Sequence, residues 1–576
     1  MKLRAVLSRF IPVAVIAPLA VVVLPSSPAA AKSDFTAKPF MGWSSWSVES
    51  STHPGYGQNW LNEFNIQNAA TAVATKLKSA GYSYVNIDAG WNFTLGWTYH
   101  SDANGIPDPD PSRFPHGMAA VASYIHNNGL KTGIYVAAGL EKEAYNKNAP
   151  ILGTNCHTKD IAVQPLTATN KWGGNWKIDY SKPCAQSYIN SFANRFASWG
   201  IDFVKVDGVT KDNIPDIAAW SAAIDQSGRQ MWLTASAWPV ELAAASGLHP
   251  YANSVRVDTD VECYCDTVSS WGSSVSARWN DLPSWLSSLG PNYWPDLDSM
   301  PINNNTGSGV QDGLNDTERQ SAMTFWSMAS SPLYVGGDVY FMDSTAVSIL
   351  TNPEVIAVDQ AGRIPSQVIG GTLQTWKKQM PDGSTVVAVY NTGSTASDIT
   401  VNWASLGLNG SPAVRDLVSR SNLGTFSGGW TARNVPAHGS RLIKLTGATA
   451  GPSGTITGIG GKCVDVSGGT ADGTAVTLWT CNGGANQTWT RAGGAFESLG
   501  KCLDVTGGAT ANNTKVELWT CNGSGAQQWN TPGDGTLRNP QSGRCLDVAG
   551  GGTSDGTPLI IWDCHGGPNQ QWKYPS

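Results

Sequence analysis

Three patterns in the sequence predict a multidomain chain. From Phe40 to about Gly362 short apolar strands alternate with helix-like stretches; from 363 to 446 strands and turns run on without helices; and the last quarter repeats itself three times. Eight strand and helix units in succession predict a (β/α)8 TIM barrel, and the helix-free stretch an antiparallel β-sandwich domain. A doubly wound open sheet would want a Gly-rich phosphate turn after an early strand, and the chain has none.

Residues 1–31 read as a secretory signal: Lys2 and Arg4, an apolar run from Phe10 to Leu24, and a small-residue cleavage site in Ser26-Ser27-Pro28-Ala29-Ala30-Ala31. A secreted, extracellular protein without membrane association after signal removal is expected. The barrel is placed at 34–362. Its strands are predicted at Met41 to Trp46, Tyr84 to Ala89, Thr132 to Val136, Phe203 to Val206, Trp232 to Ser236, Ser254 to Asp260, Tyr293 to Asp298 and Leu333 to Val339, rich in β-branched and aromatic residues. Ala69 to Ala80, Met118 to Asn127 and Ser187 to Ser198 carry apolar residues at helical spacing. Two connections exceed what a barrel needs, Ser47 to Ile66 and Gly139 to Cys184, and long loops on the C-terminal face shape substrate sites. Met380-Pro381-Asp382-Gly383 marks a hairpin inside the β domain at 363–446, and Gly447 to Gly454 reads as a linker.

The tail, 455–576, is an internal repeat. Cys463-Val-Asp-Val, Cys502-Leu-Asp-Val and Cys545-Leu-Asp-Val begin three units; Leu478-Trp479-Thr-Cys481, Leu518-Trp519-Thr-Cys521 and Ile561-Trp562-Asp-Cys564 continue them; Gln487-Thr-Trp489, Gln527-Gln-Trp529 and Gln570-Gln-Trp572 close them. This pattern resembles the ricin-type β-trefoil carbohydrate-binding module. The resemblance implies sugar contacts at Asp465, Trp479, Asn486 and Gln487 in the first unit and at Asp547, Trp562, Asn569 and Gln570 in the third. The second unit has Ala526 where the Asn belongs, which puts its site in doubt.

Only 14% of residues are charged and the net charge is -6, with no basic stripe, so nucleic acid is not an expected partner. Ten cysteines suit an oxidising compartment. If neighbours pair, Cys463, Cys481, Cys502, Cys521, Cys545 and Cys564 close one loop per repeat, each worth about 3 kcal/mol in the chain-entropy model. Cys156, Cys184, Cys263 and Cys265 admit three pairings, which the sequence leaves open. The C-x-C at 263 lacks the second Cys pair or His pair of a zinc site, so no metal or other cofactor is expected.

The chemistry is read at the strand ends. Phe203-Val-Lys205-Val-Asp207-Gly208-Val209 is an apolar strand that delivers two charges to its C-terminal end. Others end alike: Asn86-Ile-Asp88, Arg256-Val-Asp258-Thr-Asp260 and Trp294-Pro-Asp296-Leu-Asp298. Side chains alternate along a strand, so Lys205 shares a face with Asp207, as Arg256 does with Asp258 and Asp260. Carboxylates gathered at one end of a barrel, with Trp46 and Trp91 as stacking surfaces, point to glycoside hydrolysis. Hydride and phosphoryl transfer would call for a nucleotide motif.

Met41-Gly-Trp-Ser-Ser-Trp46, Val85-Asn-Ile-Asp88-Ala-Gly-Trp91, Arg113-Phe-Pro-His-Gly-Met118, Gly129-Leu-Lys-Thr-Gly-Ile-Tyr135, the Lys205 to Asp207 strand, Arg256 with Asp260, and Trp294-Pro-Asp-Leu-Asp298 follow in an order that resembles glycoside hydrolase family 27, the α-galactosidases and their relatives. The resemblance covers about 38–446 and implies a retaining enzyme. Asp207 would be the nucleophile and Asp260 the acid/base, with Asp258 its closest competitor. Lys205 and Arg256 would hold sugar hydroxyls, and Trp46, Asp88, Tyr135 and Asp298 would line the pocket of the first sugar. The chain departs from the galactose pattern at Ala89, where a second Asp is usual, at Ser236-Ala237 ahead of Trp238-Pro239, where a Cys-Glu pair is usual, and at Gly208-Val209, where a Cys is usual. The leading expectation is a secreted retaining exo-glycosidase, α-galactosidase-like, held on oligo- or polysaccharide by its trefoil. An isomalto-dextranase-like enzyme on α-1,6-glucan, a β-L-arabinopyranosidase, and a lectin-like protein without catalysis are the alternatives.

Overall fold

The computed structural model describes residues 34–93, 99–237, 242–272 and 274–576; the leader at 1–31 and the Trp238-Pro239 landmark lie outside the described residues. Eight parallel strands form the barrel: β1 (Met41–Ser44), β2 (Tyr84–Ile87), β3 (Lys131–Ala137), β4 (Phe203–Val209), β5 (Trp232–Ala237), β6 (Ser254–Arg256), β7 (Trp294–Asp296) and β8 (Leu333–Val335). They lie in the order 7-6-5-4-3-2-1-8. The seam between β7 and β8 closes just past β7, where Met300 N–H donates to Tyr334 O at 2.7 Å and Gly336 N–H to Met300 O at 3.0 Å. The outer helices stop where the sequence signals say. Gly200 and Gly228 take left-handed C-cap conformations after Ala185–Trp199 and Ile214–Ser227, and Asn315 with Glu318 forms a capping box on Asp316–Ala329.

Alternation along the strands layers the barrel interior. At the strand starts Tyr84, Phe203, Trp232 and Trp294 pack with Phe40 and Tyr334 into an aromatic plug. Two residues on along the same faces come Asn86, Lys205, Thr234 and Asp296, and two further Asp88, Asp207, Ser236 and Asp298. The plug seals the N-terminal end, so polar side chains are carried upward to the open C-terminal end. Gly133 makes room for this packing: a Cβ there would lie 1.9 Å from Asn86 Oδ1 and 2.7 Å from the Phe203 ring.

The β domain is a six-stranded antiparallel sheet backed by the pair Ser397–Asn402 and Gly429–Val435. Strand Thr385–Asn391 is buried throughout because both its faces are used. Val387 and Val389 face the sandwich core, whereas Val386, Ala388 and Tyr390 pack with Trp376 and Leu442 into the barrel's core. Tyr390 and Trp376 meet Phe325 edge-on at 5.4 Å each. The 380–383 turn joins Leu373–Gln379 to Thr385–Asn391, its Gly383 N–H donating to Met380 O at 3.1 Å. The linker is no free tether: Thr449–Ala450 pairs with Leu408–Asn409, and Ser453–Gly454 with Trp489–Thr490.

In the trefoil, Trp489, Trp529 and Trp572 fill the common core, and each indole donates to the strand that opens its own unit, at Val464 O (2.9 Å), Leu503 O (3.0 Å) and Leu546 O (2.9 Å). Each unit also grips the next. Asp472 accepts from Thr520 N–H at 2.7 Å, Asn512 from Asp563 N–H at 2.8 Å, and Asp555 from Thr480 N–H at 2.7 Å. One unit cannot bury its own apolar face, and three closed around an axis can. The trefoil cysteines pair within units; the other four pair as Cys156–Cys184 and Cys263–Cys265. Among the described residues no helix is long and apolar enough to cross a membrane.

Candidate active site

A cavity of about 790 Å³ opens at the C-terminal end of the barrel, and Trp46, Asp88, Ala89, Tyr135, Lys205, Asp207 and Asp260 all line it. Lys205 Nζ donates to Asp88 Oδ2 at 2.9 Å, and Ser45 Oγ accepts from the Asp88 N–H at 2.9 Å. Burial alone would lower the Lys205 pKa; the carboxylates of Asp88 and Asp207 outweigh it and keep the ammonium charged. The Tyr135 phenol lies beside Asp207, and burial followed by the charge of Asp207 raises it well above its ordinary value. Asp207 thus opens onto the cavity beside the Lys205 ammonium and the Tyr135 ring.

Asp260 is set differently. Burial, then the charge of Asp298, raises its pKa above the ordinary carboxylate value, against the opposing pull of Arg256 and Lys205. Arg256 Nη1 donates to Oδ1 at 3.1 Å and the Tyr264 hydroxyl to Oδ2. A carboxyl with raised proton affinity opening onto the same cavity as a second carboxyl is what a general acid of glycoside hydrolysis requires.

Arg256 and Asp298 lie beneath this cavity, both almost fully buried, and not on its wall. The Arg256 guanidinium reaches Asp298 at 2.8 Å and Asp296 at 3.6 Å, and the Tyr334 hydroxyl lies 3.0 Å from an oxygen of each carboxylate, with one proton to share between them. Burial would raise the Asp298 pKa, but Arg256, Lys205 and Arg278 together with the Val261 N–H bring it below its usual value. Oxygens of Asp260, Glu262 and Asp298 approach within 4.8 Å of one another, and Arg256 supplies a positive charge to two of the three. Glu262, which the strand pattern did not single out, is buried with Ser47 and Ser299 donating to Oε1 at 2.6 and 3.0 Å, and burial followed by Asp298 raises its pKa well above normal.

Two sequence expectations are corrected. Strand β6 stops at Arg256, so the alternation that would have put Asp258 beside Asp260 does not continue; Asp258 turns away to pair with Arg278. Trp91 is no stacking surface: it is fully buried, donates its indole N–H to Tyr135 O at 2.9 Å and packs edge-on against Phe196 and Trp199.

Other wall residues come from far along the chain. The Gly139 to Cys184 connection folds into a short ribbon of Leu140–Glu141, Ala168–Thr169 and Asn175–Trp176, closed by Cys156–Cys184, and adds Glu141, Glu143 and half-exposed Trp172 to the cavity. Burial pushes Glu141 up to about 7. Loop length was the sequence's signal for this segment. Trp172 explains Gly208: with φ +71° there, a Cβ would lie 2.5 Å from Asn170 Cβ and 2.9 Å from the Trp172 ring. Behind Asp88, buried Glu49 is pushed up to about 8 by burial and the Asp88 charge.

In the trefoil, Asp465 Oδ2 accepts from Asn486 at 2.8 Å and Gln487 at 2.7 Å, and Asp547 accepts from Asn569 at 2.9 Å and Gln570 at 2.7 Å. Asp504 has Gln527 at 2.8 Å, but buried Ala526 offers it nothing. Trp479 and Trp562 are partly exposed; Trp479 runs alongside Gly556 of the third unit. His565, which the repeat comparison passed over, stands 3.4 Å from Asp547.

Comparison with known proteins agrees with this geometry. Residues 38–149 and 172–361 match the model described as alpha galactosidase A, 370–445 the alpha galactosidase C-terminal beta sandwich domain, and 452–572 the ricin-type beta-trefoil lectin domain. A probable alpha-galactosidase of Dictyostelium discoideum is 31% identical over 420 residues, 71% of this chain and 92% of that protein; the alpha-galactosidase of Coffea arabica is 30% identical over 417 residues, 71% and 93%. Among solved structures, a GH27 β-L-arabinopyranosidase from Geobacillus stearothermophilus superposes with a TM-score of 0.64 at 29% identity, covering 72% of this chain and 97% of that one. Alpha-galactosidase I from Mortierella vinacea gives 0.55 at 28%, covering 72% and 98%. The chain is therefore a glycoside hydrolase of the α-galactosidase family, family 27, carrying a ricin-type β-trefoil lectin domain at its C-terminus.

Proposed function

We propose that the chain is a retaining exo-glycosidase that removes a terminal α-galactoside-like sugar from oligo- or polysaccharide. The observation that carries this is the pair Asp207 and Asp260 opening onto one cavity, with burial and the Asp298 charge raising the proton affinity of Asp260. Asp207 attacks the anomeric carbon while Asp260 gives its proton to the departing glycosidic oxygen, leaving a glycosyl ester on Asp207. Asp260, now a carboxylate, takes a proton from water, whose oxygen displaces Asp207 and returns it as a carboxylate. Lys205, Tyr135 and Asp88 hold the sugar and the nucleophile in register. The trefoil keeps the barrel on polysaccharide through its first and third units. Export by the 1–31 leader fits a chain whose ten cysteines are all paired.

A second reading is supported by Ala89. A β-L-arabinopyranoside has the ring stereochemistry of an α-galactoside without the hydroxymethyl group, and Ala89 leaves the position next to Asp88 on the cavity wall without a carboxylate to bind that group. A panel of nitrophenyl α-galactoside, β-L-arabinopyranoside and isomaltoside separates these substrates. Asp207→Ala is expected to lose at least about 10³-fold in kcat on whichever is turned over, as removal of a covalent nucleophile does; wild-type-like turnover by that variant would reject the mechanism.

A further inference from the structure

Tyr264 stands between Cys263 and Cys265, which are bonded to each other, so its backbone is closed into a small covalent ring. Its φ of +53° is the left-handed region, which a bulky side chain seldom adopts. The loop is anchored on both sides: Cys265 O accepts from Thr52 N–H at 3.0 Å and Ser51 Oγ at 3.3 Å, and Cys263 N–H donates to Val268 O at 3.0 Å. From this frame the half-exposed ring reaches the cavity wall, stands edge-on to Trp46 at 6.4 Å and places its hydroxyl on Asp260 Oδ2.

We propose that Tyr264 is a positioning residue for Asp260: the Cys263–Cys265 bond presents its hydroxyl to Oδ2, which aims the carboxyl and favours its ionised form. The proposal rests on the reading of Asp260 as the acid/base. The groups that face Asp260 are Arg256 from β6, Lys205 and Asp207 from β4, Asp298 beyond β7, and Glu262 and Tyr264 from its own loop. Arg256 is pinned from below by Asp296 and Asp298, so it holds Oδ1 in one place. Tyr264 is the donor to the other oxygen, and burial beside Asp260 raises its own pKa, which keeps it a donor across the working pH range. Burial, then the charges of Asp298 and Asp207, raise its proton affinity, and the tyrosine opposes them. The acid is thereby kept strong enough to surrender its proton and to return as a base in the second step.

The test is the pH dependence of kcat/KM, whose alkaline limb reports deprotonation of the acid in free enzyme. Tyr264→Phe keeps the ring and removes the donor; the limb is expected to move up by about one pH unit, the size of one lost hydrogen bond to a charged group. Cys263→Ser/Cys265→Ser is expected to move it in the same direction, whereas Cys156→Ser/Cys184→Ser, which opens the other barrel disulfide, leaves it in place. A general loss of stability lowers active enzyme without moving the limb. If Asp260→Asn removes the limb while Tyr264→Phe leaves it unmoved, the tyrosine has no such role and the acid/base reading stands. If the limb persists in Asp260→Asn, both fail. A shift in Tyr264→Phe without one in the double serine variant would overturn the part assigned to the disulfide.

Discussion

Gly208→Ala puts a single methyl group against the wall built by the insertion. The φ of +71° costs an alanine about 1–2 kcal/mol. The Cβ would lie 2.5 Å from Asn170 Cβ and 2.9 Å from the Trp172 ring, far inside contact distance. The Asn170–Gly174 turn cannot easily recoil, because Asn170 Oδ1 accepts from Gly174 N–H at 2.8 Å and Lys142 Nζ donates to Gly173 O at 2.7 Å. Overpacking of this kind adds about 1–3 kcal/mol, for a total of about 2–5 kcal/mol. The strain falls on the residue after Asp207, and on the mechanism proposed a displacement of about 1 Å at Asp207 lowers kcat/KM by roughly 10²-fold. Thermal unfolding and steady-state kinetics on the best glycoside of the panel measure both. Asn170→Gly removes the shortest contact, so Gly208→Ala should cost at least about 1 kcal/mol less in that background. A Gly208→Ala enzyme with unchanged melting temperature and kcat/KM, or a mutant cycle with no coupling, would refute the account of Trp172 as a wall fitted to this glycine.

Ala89→Asp restores a carboxylate to the cavity and should raise kcat/KM on α-galactoside relative to β-L-arabinopyranoside by about tenfold, one charge-assisted hydrogen bond; an unchanged ratio removes Ala89 from the specificity argument. Asp547→Ala should weaken binding to polysaccharide by roughly tenfold in affinity electrophoresis, about 1.4 kcal/mol, whereas Asp504→Ala, whose unit lacks the Asn, should change it little. Burial pushes Glu497 up to about 7. Its stabilising contribution is therefore complete below about pH 4.5 and lost as pH rises through 7, so Glu497→Gln should stabilise the trefoil at pH 8 by up to about 3 kcal/mol and not at pH 4. Equal melting shifts at the two pH values would contradict this.

Much of the architecture was written along the chain, because period-two strands, glycine stops and a threefold repeat are local patterns that no distant contact needs to complete. Lys205 and Asp207 fall on one face by alternation alone, and the trefoil's Asp, Asn and Gln come together because the repeat carries them in register. Periodicity tells which face a residue takes only while the strand lasts. It could not say that β6 ends at Arg256 and sends Asp258 to Arg278, nor that Trp91 turns into the helical layer while Trp46 stays on the cavity. Arg256 and Asp298 read as sugar contacts, yet curling the sheet into a barrel drew them under the cavity floor as supports. Tyr264 and Trp172 reach the site from loops whose paths are set by a disulfide ring and by packing against Gly208. The three domains, the family and the charged strand ends follow from residue order. The tertiary structure alone decided which side chains meet in the cavity, since that depends on where strands stop and how long loops fold back over them.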